Sequence, residues 1–417
     1  MESGDPQHDS VAWLRKNIKL QICLNLPSPS SFPDPASPPK PFDSRASFTH
    51  PGLLHTASDF SRIKSYVEAQ KEPWYTGWQK LVAHANPSYV PNPQPTVYRG
   101  AGDWTENYSS LYRDAAAAYA LAIYWKVTGD VTYGTAAATI LDAWSSTLKV
   151  VTGSSDKYLA SGIYGYQLAN AAEILRAFSG WSGLQAMITM LNEVFYPMNH
   201  NFLINHNDAK IDHYWANWDL CNLCTMEAIG ILSDNQTMFS EAITYFKSGG
   251  GNGAIEKAIW ILYEETDSGK PLGQGQEAGR DQGHAMLDFA LLGVLAQQAY
   301  NQGTDLFAYL SNRILAGAEY AAKYNLGYDV PYTTYVNSDV TQTTISNNGR
   351  GNIRPTWELI YGHYGVLKGL NTSWTQKYRD LVVSQGGGAE GGGGDYGTTS
   401  GGYDQLGYGT LLYRLDA

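Results

Sequence analysis

Residues 111–148 read LYRDAAAAYALAIYWKVTGDVTYGTAAATILDAWSSTL, and this stretch constrains the fold more than any other. Two alanine-rich runs of helix length are separated only by Thr128-Gly129-Asp130. Alanine is the best helix former, glycine supplies a left-handed stop, and aspartate caps the next helix, so the pattern predicts a helical hairpin. Thr56 and Asp59 stand in capping-box spacing ahead of Phe60, Ile63, Tyr66 and Val67, which share one helical face. Further helices are expected at about 161–179, 184–196, 213–232, 237–247, 252–265, 277–300, 304–324 and 355–369. Period-two alternation is confined to 327–346. Helices alternating with short Gly or Asp turns predict an all-α chain, an (α/α) toroid or barrel of helical hairpins.

The two ends of the chain differ from this middle. Residues 1–46, with the run PSPSSFPDPASPPKPFD, form a proline-rich leader expected to be poorly ordered, and the barrel domain is expected over 47–417. The tail GGGAEGGGGDYGTTSGGYDQLGYGTLLYRL is glycine-dense, but Tyr396, Tyr403, Leu406, Tyr408, Leu411 and Leu412 give it a packing face. It is expected to be an ordered segment that closes the barrel.

With 43% hydrophobic and 16% charged residues the chain has ample core and too little charge for disorder. A net charge of −11 argues against nucleic acid as a partner. The 30 Tyr and 12 Trp against 11 Phe suit wet aromatic surfaces such as sugar-binding grooves, and equally the packing seams of a large helical protein. The three cysteines are Cys23, Cys221 and Cys224; the last two form a CxxC with no second pair to complete a metal site, so a buried pair, free or bridged, is expected. No apolar run reaches membrane-spanning length, and LQICLNL at 20–26 is too short and too late for an ordinary signal peptide.

Three segments carry polar groups that a helical core does not need. In GQGQEAGRDQGHAMLDF, at 273–289, a helical reading stacks Glu277, Arg280 or Asp281, His284 and Asp288 on one stripe, with Gln276 just ahead. In DHYWANWDLCNLC, His213, Asn217 and Cys221 share a stripe flanked by Tyr214 and Trp218. In RGNIRPTWELIYGHY, Arg354 precedes Pro355 at a helix start, and Trp357, Tyr361 and Tyr364 follow on one face with Glu358 alongside. Each segment alone is explained by capping, an interhelical histidine or a local ion pair. Together they supply Asn, His, Arg, Tyr and Glu, the set required to remove a proton beside a carboxylate. The C5 proton of a uronate becomes acidic only when a cation or amide neutralises the adjacent carboxylate. A base then takes that proton and an acid protonates the leaving O4. Tyrosine serves both roles if a nearby cation lowers its pKa. No metal or cofactor is required.

HPGLLHTASDFSRIK, the Thr-Gly-Asp hairpin, HYWANWDLCN, GQGQEAGRDQGH, AEYAAKYNLGYDVPY and RPTWELIYGHY together resemble the alginate-lyase superfamily of α-toroid polysaccharide lyases, nearest to polysaccharide lyase family 38. The resemblance spans about residues 48–415 and implies β-elimination on alginate or glucuronan in a cleft across the barrel end. It implies Asn217, His284, Glu277, Arg354 and Tyr361 as the catalytic set, with Arg350 and Tyr364 as competitors for the last two roles. His213, Tyr214, Trp218, Arg280, Gln276 and Tyr364 are the expected substrate-binding residues.

The expectation is a secreted, metal-independent lyase on a β-1,4-linked uronate polymer, polymannuronate first and glucuronan second, with no nucleic-acid or membrane partner. Two other classes fit the same residues: a glycoside hydrolase using Glu277 and Asp281, and a sugar-binding protein without a base.

Overall fold

The computed structural model describes residues 47–415. The leader expected at 1–46, and Cys23 within it, lie outside the described residues. Helix α1 (Ala57–Glu68) opens on a complete capping box, with Thr56 Oγ1 accepting from Asp59 N and the Asp59 carboxylate accepting from Thr56 N. After α2 (Trp74–His84) and strand β1 (Thr96–Arg99) comes the hairpin of α3 (Tyr108–Thr128) and α4 (Val131–Thr147). Gly129 ends α3 at φ 78°, and Asp130 accepts from Thr132 N to start α4. Strand β2 (Val150–Gly153) pairs parallel with β1. There follow α5 (Lys157–Leu175), α6 (Leu184–Met190), a π turn at Leu191–Phe195, α7 (Tyr196–Asn205), α8 (Ala216–Leu232), α9 (Gln236–Ser248) and α10 (Ile255–Ala258).

Here the expected helix over 252–265 stops at Ala258 and becomes strand β3 (Ile259–Glu264), antiparallel to β4 (Pro271–Gly275). The run Ile259-Trp260-Ile261-Leu262-Tyr263 is β-branched and aromatic, and with a partner strand to pair it reads as a sheet rather than a helical turn. The remaining elements are α11 (Gln282–Asn301), α12 (Tyr309–Asn325), the short hairpin β5 (Tyr335–Val336) and β6 (Thr341–Gln342), α13 (Trp357–Tyr361) running into a π turn at Gly362–Leu367, α14 (Ser373–Gln385) and α15 (Gly409–Leu412).

Helices α5 and α8 are buried on every face, from Ala160 to Leu175 and from Ala216 to Leu232. With α3, α11 and α13 they form an inner layer, and α4, α9 and α14 run outside it. One outer helix between successive inner ones makes the inner helices parallel. The cross-contacts agree: Asn222 and Thr225 of α8 donate to the carbonyls of Tyr158 and Gly162 of α5, and Cys224 and Glu227 meet Leu291 and Gln298 of α11, so each pairing advances in the same direction along both helices. Glycine is required at 162, because a Cβ there would lie 2.4 Å from Cys221 Sγ. Both cysteines are free and buried.

The glycine-dense tail packs against the inner layer. Tyr166 Oη donates to the Asp404 carbonyl and Gln167 Nε2 to that of Tyr403, both at 2.8 Å. The Tyr403 ring meets Tyr112 of α3 at 4.6 Å, and Glu390 accepts from the Trp357 and Glu358 amides at the start of α13, each at 3.0 Å. The tail thus joins the two ends of the helical arc. Trp144 and Trp357 are fully buried, and cutting either to Ala would cost about 3–5 kcal/mol. Among the described residues no helix is long and apolar enough to cross a membrane.

Candidate active site

Parallel inner helices bring their N-termini to one end of the layer, where the first amides lack helical partners. Residues 276–277, just after β4, cap α8 there: Gln276 Oε1 accepts from Ala216 N and Glu277 Oε1 from Asn217 N, both at 3.0 Å. Glu277 Oε1 also accepts from Asn217 Nδ2 at 2.8 Å, and its Oε2 accepts from Arg280 Nη1 at 2.7 Å. Glu277 is wholly buried, so its charge is spent on orienting Asn217 and Arg280. Arg280 lies 4.9 Å over the Trp215 ring, and its Nη2 reaches His284 Nε2 at 3.3 Å.

Asp281 caps α11 by accepting from His284 N at 2.9 Å, and its other oxygen is 2.7 Å from His284 Nδ1. Burial works against the Asp281 charge, but the hydrogen bonds from His284 and the nearby Arg280 outweigh it and hold the carboxyl down at about 2. An ionised Asp281 accepts a hydrogen bond from Nδ1–H, which favours the tautomer with the lone pair on Nε2 that a proton acceptor needs. The His284 side chain is 41% exposed, and the long 3.3 Å contact from Arg280 Nη2 is the protein partner of Nε2 that a ligand would displace. One turn further, Asp288 is buried beside Glu277; burial, and after it the Glu277 charge, push it well above the carboxylate range.

A second group of cations shares this end. Arg354 Nη1 donates to Asp404 Oδ2 at 3.1 Å and to the Gly401 carbonyl at 3.2 Å, and its Nε is buried without a partner. Its Nη2 lies 4.0 Å from where a Cβ on Gly283 would stand, beside the start of α11. Arg99, at the end of β1, lies 4.8 Å over the Tyr108 ring and donates to Tyr164 Oη at 3.3 Å. Burial opposes its charge, and Tyr164, Asp404, Tyr108 and Asp156 outweigh that and raise its pKa. Three arginines, an amide and a partly exposed histidine at one end can bind a carboxylate and accept a proton beside it. Among the described residues no group of three or more His, Cys, Asp or Glu gathers as a metal-binding set.

The structure thus brings together Asn217, Glu277, Arg280 and His284, with Arg354 at the edge. The helical stripe expected over 277–288 is not their means of assembly, because 277–281 is a turn and α11 begins at Gln282. Tyr361 does not join them: it lies at the far end of α13 with its ring 4.3 Å below Arg379 of α14. Four of the expected substrate contacts face inward instead. Tyr364 is fully buried and donates to the Phe307 carbonyl at 2.7 Å. Gln276 is consumed by Ala216 N and by Tyr335 Oη, to which its Nε2 donates at 2.9 Å. Tyr214 and Trp218 are both 8% exposed and pack on each other and on Phe202; Tyr214 lies ahead of α8, which starts at Ala216 rather than 213. His213 precedes that helix and pairs at the surface with Asp339 at 2.5 Å. Arg350, the competitor to Arg354, donates to the Tyr324 and Tyr328 carbonyls at 2.7 and 2.9 Å.

Sequence reasoning missed Trp215, the platform under Arg280, and Arg99. Trp215 was legible in the run HYWANW once the helix start is set one turn later. Arg99 had no local signal, since its partners Tyr164 and Asp404 are 65 and over 300 residues away in sequence.

The model of the family described as alginate lyase matches residues 62–329, a span that includes Arg99, Asn217, Glu277, Arg280 and His284 and ends before Arg354 and Tyr361. No curated protein matches the sequence. Among solved structures, an alginate lyase from Bacteroides ovatus is similar at a TM-score of 0.58 and 11% identity, covering 89% of this chain and 100% of its own. Alginate lyase A1-III from Sphingomonas species A1 is similar at 0.51 and 14% identity, covering 79% and 92%. A variant of A1-III complexed with tetrasaccharide gives 0.54 at 14% identity, covering 80% and 93%. At these identities the likeness establishes a common fold.

Proposed function

Since this chain belongs to the alginate lyase family, and so is a polysaccharide lyase, we propose that it cleaves a β-1,4-linked uronate polymer by β-elimination at the Asn217–His284 end of the inner helices. The observation that carries this reading is the continuous chain Asn217–Glu277–Arg280–His284–Asp281. Asn217 Nδ2 and Arg280 take the carboxylate of the sugar that loses its proton, drawing charge from C5 as the enolate-like state develops. Arg354 adds positive potential from the far side. His284 Nε2 accepts the C5 proton, and Asp281 stabilises the imidazolium that forms. In mannuronate and glucuronate the C5 proton and O4 lie on the same face of the ring, so the imidazolium can hand that proton to the departing O4. The C4–O4 bond breaks as the C4–C5 double bond forms, leaving an unsaturated uronate and a new reducing-end fragment. Glu277 acts through Asn217 and Arg280; with both oxygens engaged and no exposure, it is a poor acid for a hydrolase.

Polymannuronate is the first substrate and glucuronan the second, and the enzyme meets such polymers outside the cell. The test is to incubate the protein with polymannuronate, polyguluronate and glucuronan and follow the ultraviolet absorbance of the conjugated double bond. Absorbance rising on one of the first or third supports the reading. New reducing ends without absorbance would mean hydrolysis and would overturn it.

A further inference from the structure

The segment between Arg99 and Asn107 has a feature the elimination chemistry does not use. Trp104 is 37% exposed, yet its position is set from three sides. Its Nε1 donates to the Gly100 carbonyl at 2.9 Å, and its ring stacks on Tyr98 with centroids 5.8 Å apart and planes at 23°. Gly102 lies against the same ring, where a Cβ would come within 2.2 Å of the indole. The turn beneath is closed by Glu106, whose Oε1 accepts from Gly100 N, and by Asn107, whose Oδ1 accepts from Tyr98 N at 2.7 Å. Gly100 sits at φ 91°, a left-handed turn that other residues rarely adopt. The indole N–H is committed to backbone, so the exposed part of the ring is apolar.

The platform follows strand β1, whose last residue, Arg99, is one of the cations at the candidate active site. Tyr98 is the residue before Arg99, and Arg99 feels the charge of Asp404, which in turn holds Arg354 beside α11. A single flat ring next to arginines suits a pyranose, which stacks its C–H face on an aromatic while its carboxylate points to a cation. A protein partner would call for a wider apolar patch than one indole.

We propose that the Tyr98–Trp104 stack is a binding platform for a uronate ring of the polymer, at a subsite removed from the bond that is cleaved. The inference rests on the lyase reading for its ligand class and names a subsite that reading leaves open. The platform contributes to holding long chains and is out of reach of the shortest oligomers.

The test compares Trp104→Ala and Trp104→Phe with the unsubstituted protein, on polymannuronate and glucuronan and on their shortest cleavable oligomers. Trp104→Ala is expected to raise KM for the polymer by about 3- to 10-fold, the range of a lost aromatic stack. It should affect the polymer well beyond any effect on the oligomers and leave the split in KM rather than kcat, and Trp104→Phe should restore most of the loss. Electrophoresis through gels containing either polymer reads binding without turnover: migration of the unsubstituted protein should be retarded, and Trp104→Ala should lose part of that retardation. Equal losses on polymer and oligomer, or unchanged KM and retardation, would overturn the platform. If the protein forms no unsaturated product but its retardation still depends on Trp104, the lyase reading falls and the platform stands.

Discussion

The inner helices begin and finish in contrasting surroundings. Where they begin, Arg280, Arg354 and Arg99 meet Glu277, Asp281 and Asp404, and His284 stays open to solvent. Where they finish, segment 47–56 closes over them: Gln302 holds the Thr49 amide and the Gly52 carbonyl, Asn301 Nδ2 donates to the Leu53 carbonyl, and Arg176 donates to the Leu232 carbonyl. Two histidines in this half, His55 and His363, are enclosed and held in the neutral form, whereas at His50 burial is outweighed by pairing with Glu173 and Asp234 and the pKa is raised. His55 is 3% exposed against Tyr119, and His363 stacks on Phe307 at 3.8 Å; burial pushes each down to about 4. Helix-start amides and the positive end of the helix dipole favour carboxylates such as Glu277, Asp281 and Glu390 at one end, and carbonyls favour an arginine and side-chain capping at the other. One set of helices therefore yields an end that can bind a polyanion and an end that serves only to stay closed.

The sharpest way to break this contrast is His284→Ala. Turnover should fall by about 10²–10⁴-fold, the loss expected for a general acid–base group, while the thermal melt stays near that of the parent because the side chain is partly exposed. Turnover within a few-fold of the parent would move the proton acceptor elsewhere. Glu277→Gln should cost less, about tenfold, since it keeps an acceptor for Asn217 but loses the charge that holds Arg280. A Gln variant weaker than His284→Ala, measured in the same absorbance assay, would make Glu277 a direct participant.

Acid should separate the two ends by stability. His55 and His363 have folded values of about 4 against an ordinary 6.5, so their contribution is complete above 6.5 and is lost as pH falls from there through 4. Asp281, held at about 2 against 3.8, keeps its contribution until pH falls below 3.8. Melting temperature should accordingly decline between pH 6.5 and 4, and hydrogen exchange should lose protection around His55 before it does so around residues 281–284. A melting temperature constant down to pH 4 would remove the neutral-histidine account. The smallest effect is expected from Tyr361→Phe, with turnover within about threefold of the parent, as for a substitution away from the site. A loss of about 10²-fold would bring the α13 tyrosine back as the acid–base group.

The helical hairpin at 108–147 was readable from its own residues, because alanine, glycine and aspartate act over one or two turns. The same holds for the capping box at Thr56. What local pattern could not supply was the state of short segments whose partners are distant. Ile259–Glu264 carries apolar residues that suit either a helix or a strand, and β4 decides between them. Residues 277–281 look helical in isolation, but Gln276 and Glu277 cap α8 some 60 residues earlier, and that holds them in a turn. Tyr361 and Arg354 stand seven apart in sequence; a break before Trp357 sends Arg354 to the Asp404 carboxylate and Tyr361 to Arg379. Periodicity is set by neighbours along the chain, whereas the destination of a charged side chain is set by whichever counter-charge the fold brings within reach.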